Sequence, residues 1–204
     1  MLPEKILAIR PAISGLALLA AASCTQPAPL TEGSWTLDNT ASSLSFVTVK
    51  AGDVGEAHVF KALDGSVAPD GAASLTIDLA SVDTEVEIRD QRMRDVLFEV
   101  GAYPKAKVSV QLDPTGIAKL NVGESVTQDL SATLDLHGVA SEVSAKVRVV
   151  RSGADQVLVS TTRPIMLDAG SLGLADGVEK LRDLAGLPAI SNAVPVSFSI
   201  TFRR

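Results

Sequence analysis

Few side chains in this sequence have the type and spacing that covalent chemistry needs. The histidines are His58 and His137, and the single cysteine is Cys24. Neither histidine has a cysteine or second histidine at the short spacing of a metal site, so no metal is expected. No serine stands in a Gly-x-Ser-x-Gly turn, and no cysteine beyond Cys24 remains to act as nucleophile. The glycines form neither a Gly-x-Gly-x-x-Gly turn nor a phosphate loop, so no nucleotide cofactor is expected. These residues do not point to an enzyme.

The densest charge lies in Glu87 to Val96 (EIRDQRMRDV), which carries Arg89, Asp90, Arg92, Arg94 and Asp95. Such a run could meet the polar head of a bound molecule at the edge of a fold. The plainer reading is a solvated face with local ion pairs worth about 0–1 kcal/mol each. Over the whole chain 18 Lys and Arg face 24 Asp and Glu, for a formal charge of −6. With no run of five like charges, nothing resembles a nucleic-acid surface. A 46% hydrophobic content also excludes intrinsic disorder.

The start of the chain reads as an address. Lys5 and Arg10 precede a short apolar run, Ile13 to Ala22, that spans only about half a bilayer. Residues 1–23 are therefore expected to be an export signal. Leu19 to Cys24 (LAAASC) resembles a bacterial lipobox, though Ala21 replaces the usual leucine. That resemblance implies a lipid attached to Cys24 and an outer-membrane lipoprotein facing the periplasm, since Thr25 is not the aspartate of an inner-membrane retention signal. The alternative is a soluble periplasmic protein. Residues 24–33, with two prolines in TQPAPLTEG, read as a flexible tether.

From Ser34 to Arg204 the chain alternates with period two. Leu75, Ile77 and Leu79 alternate with polar residues, as do Val108, Val110 and Leu112. Leu130 to Leu136, Val143 to Val149 and Val194 to Phe202 repeat the pattern. One apolar and one wet face per strand is the signature of antiparallel sheet. Turn signals stand at Leu63-Asp64-Gly65, Pro69-Asp70-Gly71, Asp113 to Gly116, His137-Gly138 and Ser152-Gly153. About eight strands result, enough to close an up-and-down barrel around side chains or one small ligand. Glu87 to Val96 reads as a short helical crossing over one barrel end. Leu174, Val178, Leu181 and Ala185 share one helical face, ended by Gly186 and Pro188. This short helix before the last strand is either a packed lid or a gate over a cavity.

A membrane-spanning barrel alternates in the same way, but its strands run about 9–11 residues and carry aromatic girdles. Five Phe, one Tyr and one Trp are too few for two girdles.

These residues resemble the YceI-like family of polyisoprenoid-binding periplasmic proteins. The resemblance runs through Trp35-Thr36-Leu37-Asp38, Ser43 and Phe46, and through Ile77 to Thr84 followed by Arg89-Asp90, Met93-Arg94, Phe98 and Tyr103-Pro104. It continues through Leu134 to Val139 and the closing strand. It implies an all-β, lipocalin-like antiparallel barrel whose apolar channel holds a polyisoprenoid or quinone-like prenyl chain, with no catalysis. Leu172-Gly173-Leu174 and the Glu56-Ala57-His58 stretch depart from the family pattern, both at positions expected to border the channel.

Expected wall residues are Phe46, Phe60, Ile77, Leu79, Phe98, Val110, Leu134, Phe198 and Ile200. Asp83, Arg89 and Asp90 are the polar residues of the family motif, read first as braces of a loop. The scarcity of aromatics predicts aliphatic walls. An isoprenoid lipid, a membrane reached through Cys24 and a possible oligomer are the expected partners. The competing interpretation is a stress-response or structural envelope protein with a packed barrel, acting through protein contacts.

Overall fold

The computed structural model describes residues 28–204. The expected signal, residues 1–23, and Cys24 lie outside the described residues. Twelve strand segments follow in chain order: β1 (Trp35–Leu37), β2 (Ser43–Lys50), β3 (Val54–Phe60), β4 (Leu63–Val67), β5 (Ala72–Asp78) and β6 (Val82–Asp83), then β7 (Lys105–Gln111), β8 (Ser125–Leu136), β9 (Val139–Gly153), β10 (Gln156–Thr161), β11 (Ile165–Asp168) and β12 (Ala193–Arg203). The ladder runs β1–β4–β5–β7–β8–β9–β10–β12 and returns from β12 to β1, closing an eight-stranded antiparallel barrel. Segments β2, β3, β6 and β11 continue β1, β4, β5 and β10 past breaks, with β2 paired to β12 and β3, and β3 to β6.

Alternation decides which face turns inward. On β8, Leu130, Ala132, Leu134 and Leu136 line the interior, while Ser131, Thr133 and Asp135 stay in water. On β12 the inward residues are Val194, Val196, Phe198, Ile200 and Phe202. The outer face is thus polar, the reverse of a barrel that meets lipid tails. His137 and Gly138, both at positive φ (53° and 75°), make the two-residue hairpin between β8 and β9.

A crease crosses three neighbouring strands at one level. Asp38 accepts from Thr40 N (3.0 Å) and starts a one-turn break before β2. Asp78 accepts from Ala80 N (3.0 Å) and does the same before β6. Asn39 donates to Lys61 O (3.0 Å) and accepts from Leu63 N (2.8 Å), while Ser81 Oγ accepts from Ala62 N (3.0 Å). Side chains thereby satisfy backbone groups that the interrupted ladder would orphan. Above the crease β6 is too short to reach β7. The chain fills that side with α1 (Glu87–Arg92), which passes directly into a π turn over Met93–Leu97. The expected crossing segment is this helix and turn.

Sequence and structure differ at Leu63-Asp64-Gly65. The triplet lies inside β4 instead of turning the chain. A Cβ on Gly65 would stand 2.7 Å from the Ser74 carbonyl oxygen, so the glycine marks close strand approach rather than a turn. The second helix forms where its periodicity places it, as α2 (Ala175–Ala185), and stops at Gly186 in the left-handed region (φ 63°).

The stretch read as a tether is packed from Ala28 onward. Leu30 is buried and its carbonyl accepts from Trp35 Nε1 at 2.9 Å. Arg151, itself 3% exposed, donates to the carbonyls of Ala28 (2.6 Å), Leu120 (3.1 Å) and Ala154 (2.9 Å). Arg204 donates to Pro29 O and Glu32 O and stacks over Trp35 at 4.7 Å. Its prolines suggested looseness, but two arginines capture its carbonyls and close this end of the barrel.

Candidate functional site

The barrel encloses a cavity of about 450 Å³. That lies within the roughly 300–1,000 Å³ of ligand pockets, and well above an engineered apolar cavity of about 150 Å³ that stays dry and accepts benzene. Its walls come from the inward series of every barrel strand, with Leu97 and Phe98 from the π-turn side and Leu174, Val178 and Leu181 from around α2. All nine expected wall residues line it: Phe46, Phe60, Ile77, Leu79, Phe98, Val110, Leu134, Phe198 and Ile200. Leu172 and Leu174, at the first departure from the family pattern, line it as well.

The walls are less purely aliphatic than the composition suggested. All five phenylalanines line the cavity, together with Trp35. Phe46, Phe60 and Phe98 form a run with ring centroids 5.2 and 5.7 Å apart, and Phe46 also meets the His58 ring at 5.2 Å. A low count of aromatics says how many there are, and folding gathers them in one place.

Beyond this run the wall becomes polar. The inward residues of β2 proceed from Leu44 and Phe46 to Thr48 and Lys50, and their neighbours on β3 from Phe60 to His58 and Glu56. Arg89 reaches the same place from α1, and Arg92 lines the cavity from the same helix. Glu56 Oε2 accepts from Lys50 Nζ and Arg89 Nη1, each at 2.8 Å. The Lys50 hydrogen bond, followed by that of Arg89, holds the Glu56 carboxyl below its ordinary range. Burial disfavours the charged form of His58 and lowers its pKa below the usual 6.5. Its Nε2 shares a 2.9 Å hydrogen bond with Thr48 Oγ1. His58 Nδ1 and Arg89 Nε are buried without a partner. Leaving such a buried group unsatisfied costs about 1–3 kcal/mol.

The family-motif residues separate. Asp83 pairs with Lys61 at 2.5 Å and accepts from Glu85 N at 2.9 Å, outside the cavity. Asp90 is buried and accepts from Thr84 N (2.8 Å) and the Thr84 hydroxyl. Both brace the turn in which Glu85 takes a positive φ of 63°. Arg89 does two things, donating to Thr84 O at 2.6 Å and lining the cavity.

Thr48 and His58 are a hydroxyl–imidazole pair, the first two members of a nucleophile–base constellation. A catalytic base is normally oriented by a third group on its other nitrogen, and His58 Nδ1 has no such partner among the described residues. His137 bonds Glu99 at 2.9 Å and packs at a tilt against the Tyr103 ring, centroids 4.3 Å apart, away from the cavity.

Thr48 and Lys50 are cavity-lining residues that the sequence reading missed, and Arg92, which it left in a charged run read mainly as a solvated face, lines the cavity too. The signal was available, because the β2 alternation of Leu44 and Phe46 continues through Thr48 and Lys50.

The model of the YceI-like domain matches residues 35–202. A polyisoprenoid-binding domain from Saccharophagus degradans, implicated in plant cell wall breakdown, is 43% identical, with a TM-score of 0.81 over 83% of this chain and 97% of that one. BcnA of Burkholderia cenocepacia is 20% identical, with a TM-score of 0.63 over 81% and 98%. The YCEI protein of Campylobacter jejuni is 15% identical, with a TM-score of 0.52 over 72% and 84%. The last two share the fold. No curated protein matches the sequence.

Proposed function

This chain belongs to the YceI-like domain family, and from that premise we propose that it is an exported lipid-binding protein. It sequesters or carries a polyisoprenoid or prenyl-tailed lipid in the barrel and transforms nothing. The observation that carries this reading is the apolar cavity of about 450 Å³ running from Trp35 to the Phe46–Phe60–Phe98 run. A methyl-branched chain can fill it without leaving polar wall atoms facing hydrocarbon, which costs roughly 1–3 kcal/mol per group. The competing picture of a packed barrel needs a filled interior, and this volume does not favour it. The 43% identity to a polyisoprenoid-binding domain supports the same ligand class.

Export and anchoring belong to the proposal. The signal in residues 1–23 would direct the chain to the periplasm, and acylation of Cys24 would attach it to the outer membrane. An intact mass that begins at an acylated Cys24 supports the anchor, and an unmodified chain contradicts it.

Delipidated protein titrated with geranylgeraniol tests the binding itself, with Trp35 fluorescence as the reporter inside the cavity. We expect saturable binding by the natural sequence and its loss in Ile200→Asp, with circular dichroism checking that the variant still folds. No saturable binding by the natural sequence overturns the reading.

A further inference from the structure

The barrel wall carries a seam that no ladder closes. Strand β9 pairs with β10 as far as Val147, opposite Thr161. The last tie is Lys146 O, which accepts from Thr162 N (2.9 Å) and from the Thr162 hydroxyl (3.0 Å). In that register the next backbone bonds from β9 would join Ser144 to residue 164, and Pro164 has no N–H to give. The chain leaves β9 there and enters β11, which pairs with β12 alone. Among the described residues no hydrogen bond joins residues 139–145 to residues 163–172. A groove of about 360 Å³ lies along this seam, with Glu142 and Ser144 on one lip and Met166 on the other. Val143, Ile165, Leu167 and Leu172 line both the groove and the cavity, so one layer of aliphatic side chains separates the lumen from the outside. Met166 is 63% exposed, more than any other large hydrophobic among the described residues.

We propose that the seam between β9 and β11 is a side entrance, through which the prenyl chain passes into and out of the barrel. The proposal rests on the lipid-binding reading above and adds the route that reading leaves open. Every other way in is held more firmly. At the rim Glu56 binds Lys50 of β2 and Arg89 of α1 at 2.8 Å each, so a hydrocarbon threaded end first would pass an ion-pair cluster. At the top α2 lies so close to the π turn that a Cβ on Gly177 would stand 3.0 Å from Leu97 Cα. At the floor Arg151 and Arg204 hold the carbonyls of the segment that carries Leu30. In the wall itself, parting β8 from β9 would break a ladder that runs from Ser125 to Leu136. Parting β9 from β11 breaks no hydrogen bond, and the four shared aliphatic side chains need only change rotamer. A flexible chain is then laid in along its length instead of being drawn past charge.

The test ties the two lips together. Glu142→Cys and Met166→Cys, combined with Cys24→Ser, put two thiols at exposed positions that would face each other if the β9–β10 register continued past Thr161. A short bis-maleimide with a reducible central disulfide joins them, and mass spectrometry confirms the bridge. Protein loaded with geranylgeraniol is mixed with egg phosphatidylcholine vesicles, and release is followed by the fluorescence of Trp35, which lines the cavity. The bridged protein should release the lipid about tenfold or more slowly than the same protein after the bridge is reduced. Its equilibrium affinity should stay within about twofold, because a blocked passage slows loading by the same factor. Equal release rates before and after reduction overturn the side entrance and leave lipid binding intact. A bridge that weakens equilibrium binding as much as it changes the rate also overturns it, since the seam would then be wall and not passage. If the natural sequence takes up no geranylgeraniol, the lipid-binding reading itself falls.

Discussion

His58 carries an acid-sensitive element into the barrel. It is 3% exposed, its ring packs on Phe46, and burial lowers its pKa from the ordinary 6.5. Between that lowered value and 6.5 the unfolded chain binds a proton that the folded chain refuses. Stability is therefore complete above 6.5 and declines as pH falls through it. The carboxylates act in a separate, more acidic window. Asp38 is held at about 2 by Thr40 and Arg203, and Glu56 and Asp83 are lowered by their lysine partners, so their contributions persist until the pH is well below that of the histidine. Thermal unfolding should show a lower midpoint near about pH 5.5 than near about pH 7.5. In His58→Gln the difference should shrink. An unchanged difference would assign the acid sensitivity to other groups.

At this scale the sequence was legible where alternation was unbroken, and less so elsewhere. Phe46, Phe198 and Ile200 could be placed on the inner face from neighbours two residues away. Asp83 and Asp90 could not be told apart from Arg89, because all three belong to the same motif. Only the turn at Glu85, which sends the carboxylates to Lys61 and Thr84 and the guanidinium to Glu56, separates them.

Among elements, the lid depends on how closely two backbones approach. Gly177, in the first turns of α2, lies against the π turn, where an added Cβ would meet Leu97 Cα at 3.0 Å and Val96 O at 3.1 Å. An extra methyl in an exposed helix would be favourable by roughly 1 kcal/mol, but here it meets rigid backbone. Gly177→Val should therefore destabilise the protein by about 1–3 kcal/mol, read by chemical denaturation. It should also speed the release of bound geranylgeraniol. An unaltered midpoint and release rate would mean that α2 is free to give way. The sequence announced this helix through Leu174, Val178 and Leu181, because a 3.6-residue period survives any tertiary context. It was silent on the crease at Asn39, Lys61 and Ser81. That feature depends on the Asn39 and Ser81 side chains meeting the backbone of Lys61, Ala62 and Leu63 at one level, and no local pattern encodes it. Gly65 misled for a related reason: the same residue type serves turns and close strand approach.

For the whole molecule, alternation looks alike whether the interior is packed or open. What opens it is a matter of size and closure. Ala73, Ala106, Ala132 and Ala145 stand on the inner face, and α1, the π turn and α2 span the top instead of filling the lumen. At the bottom, Leu30 and Trp35 plug the barrel and Arg151 and Arg204 lock the plug. The result is a vessel with a sealed apolar floor and a polar, partly exposed rim, which is the shape that a long amphipathic lipid requires. The central claim is that this vessel is occupied by such a lipid. Native mass spectrometry of the protein purified in mild detergent from its own envelope tests it most directly. The account predicts an adduct that organic extraction releases as a prenyl-tailed lipid, whereas a protein that is consistently empty would contradict it.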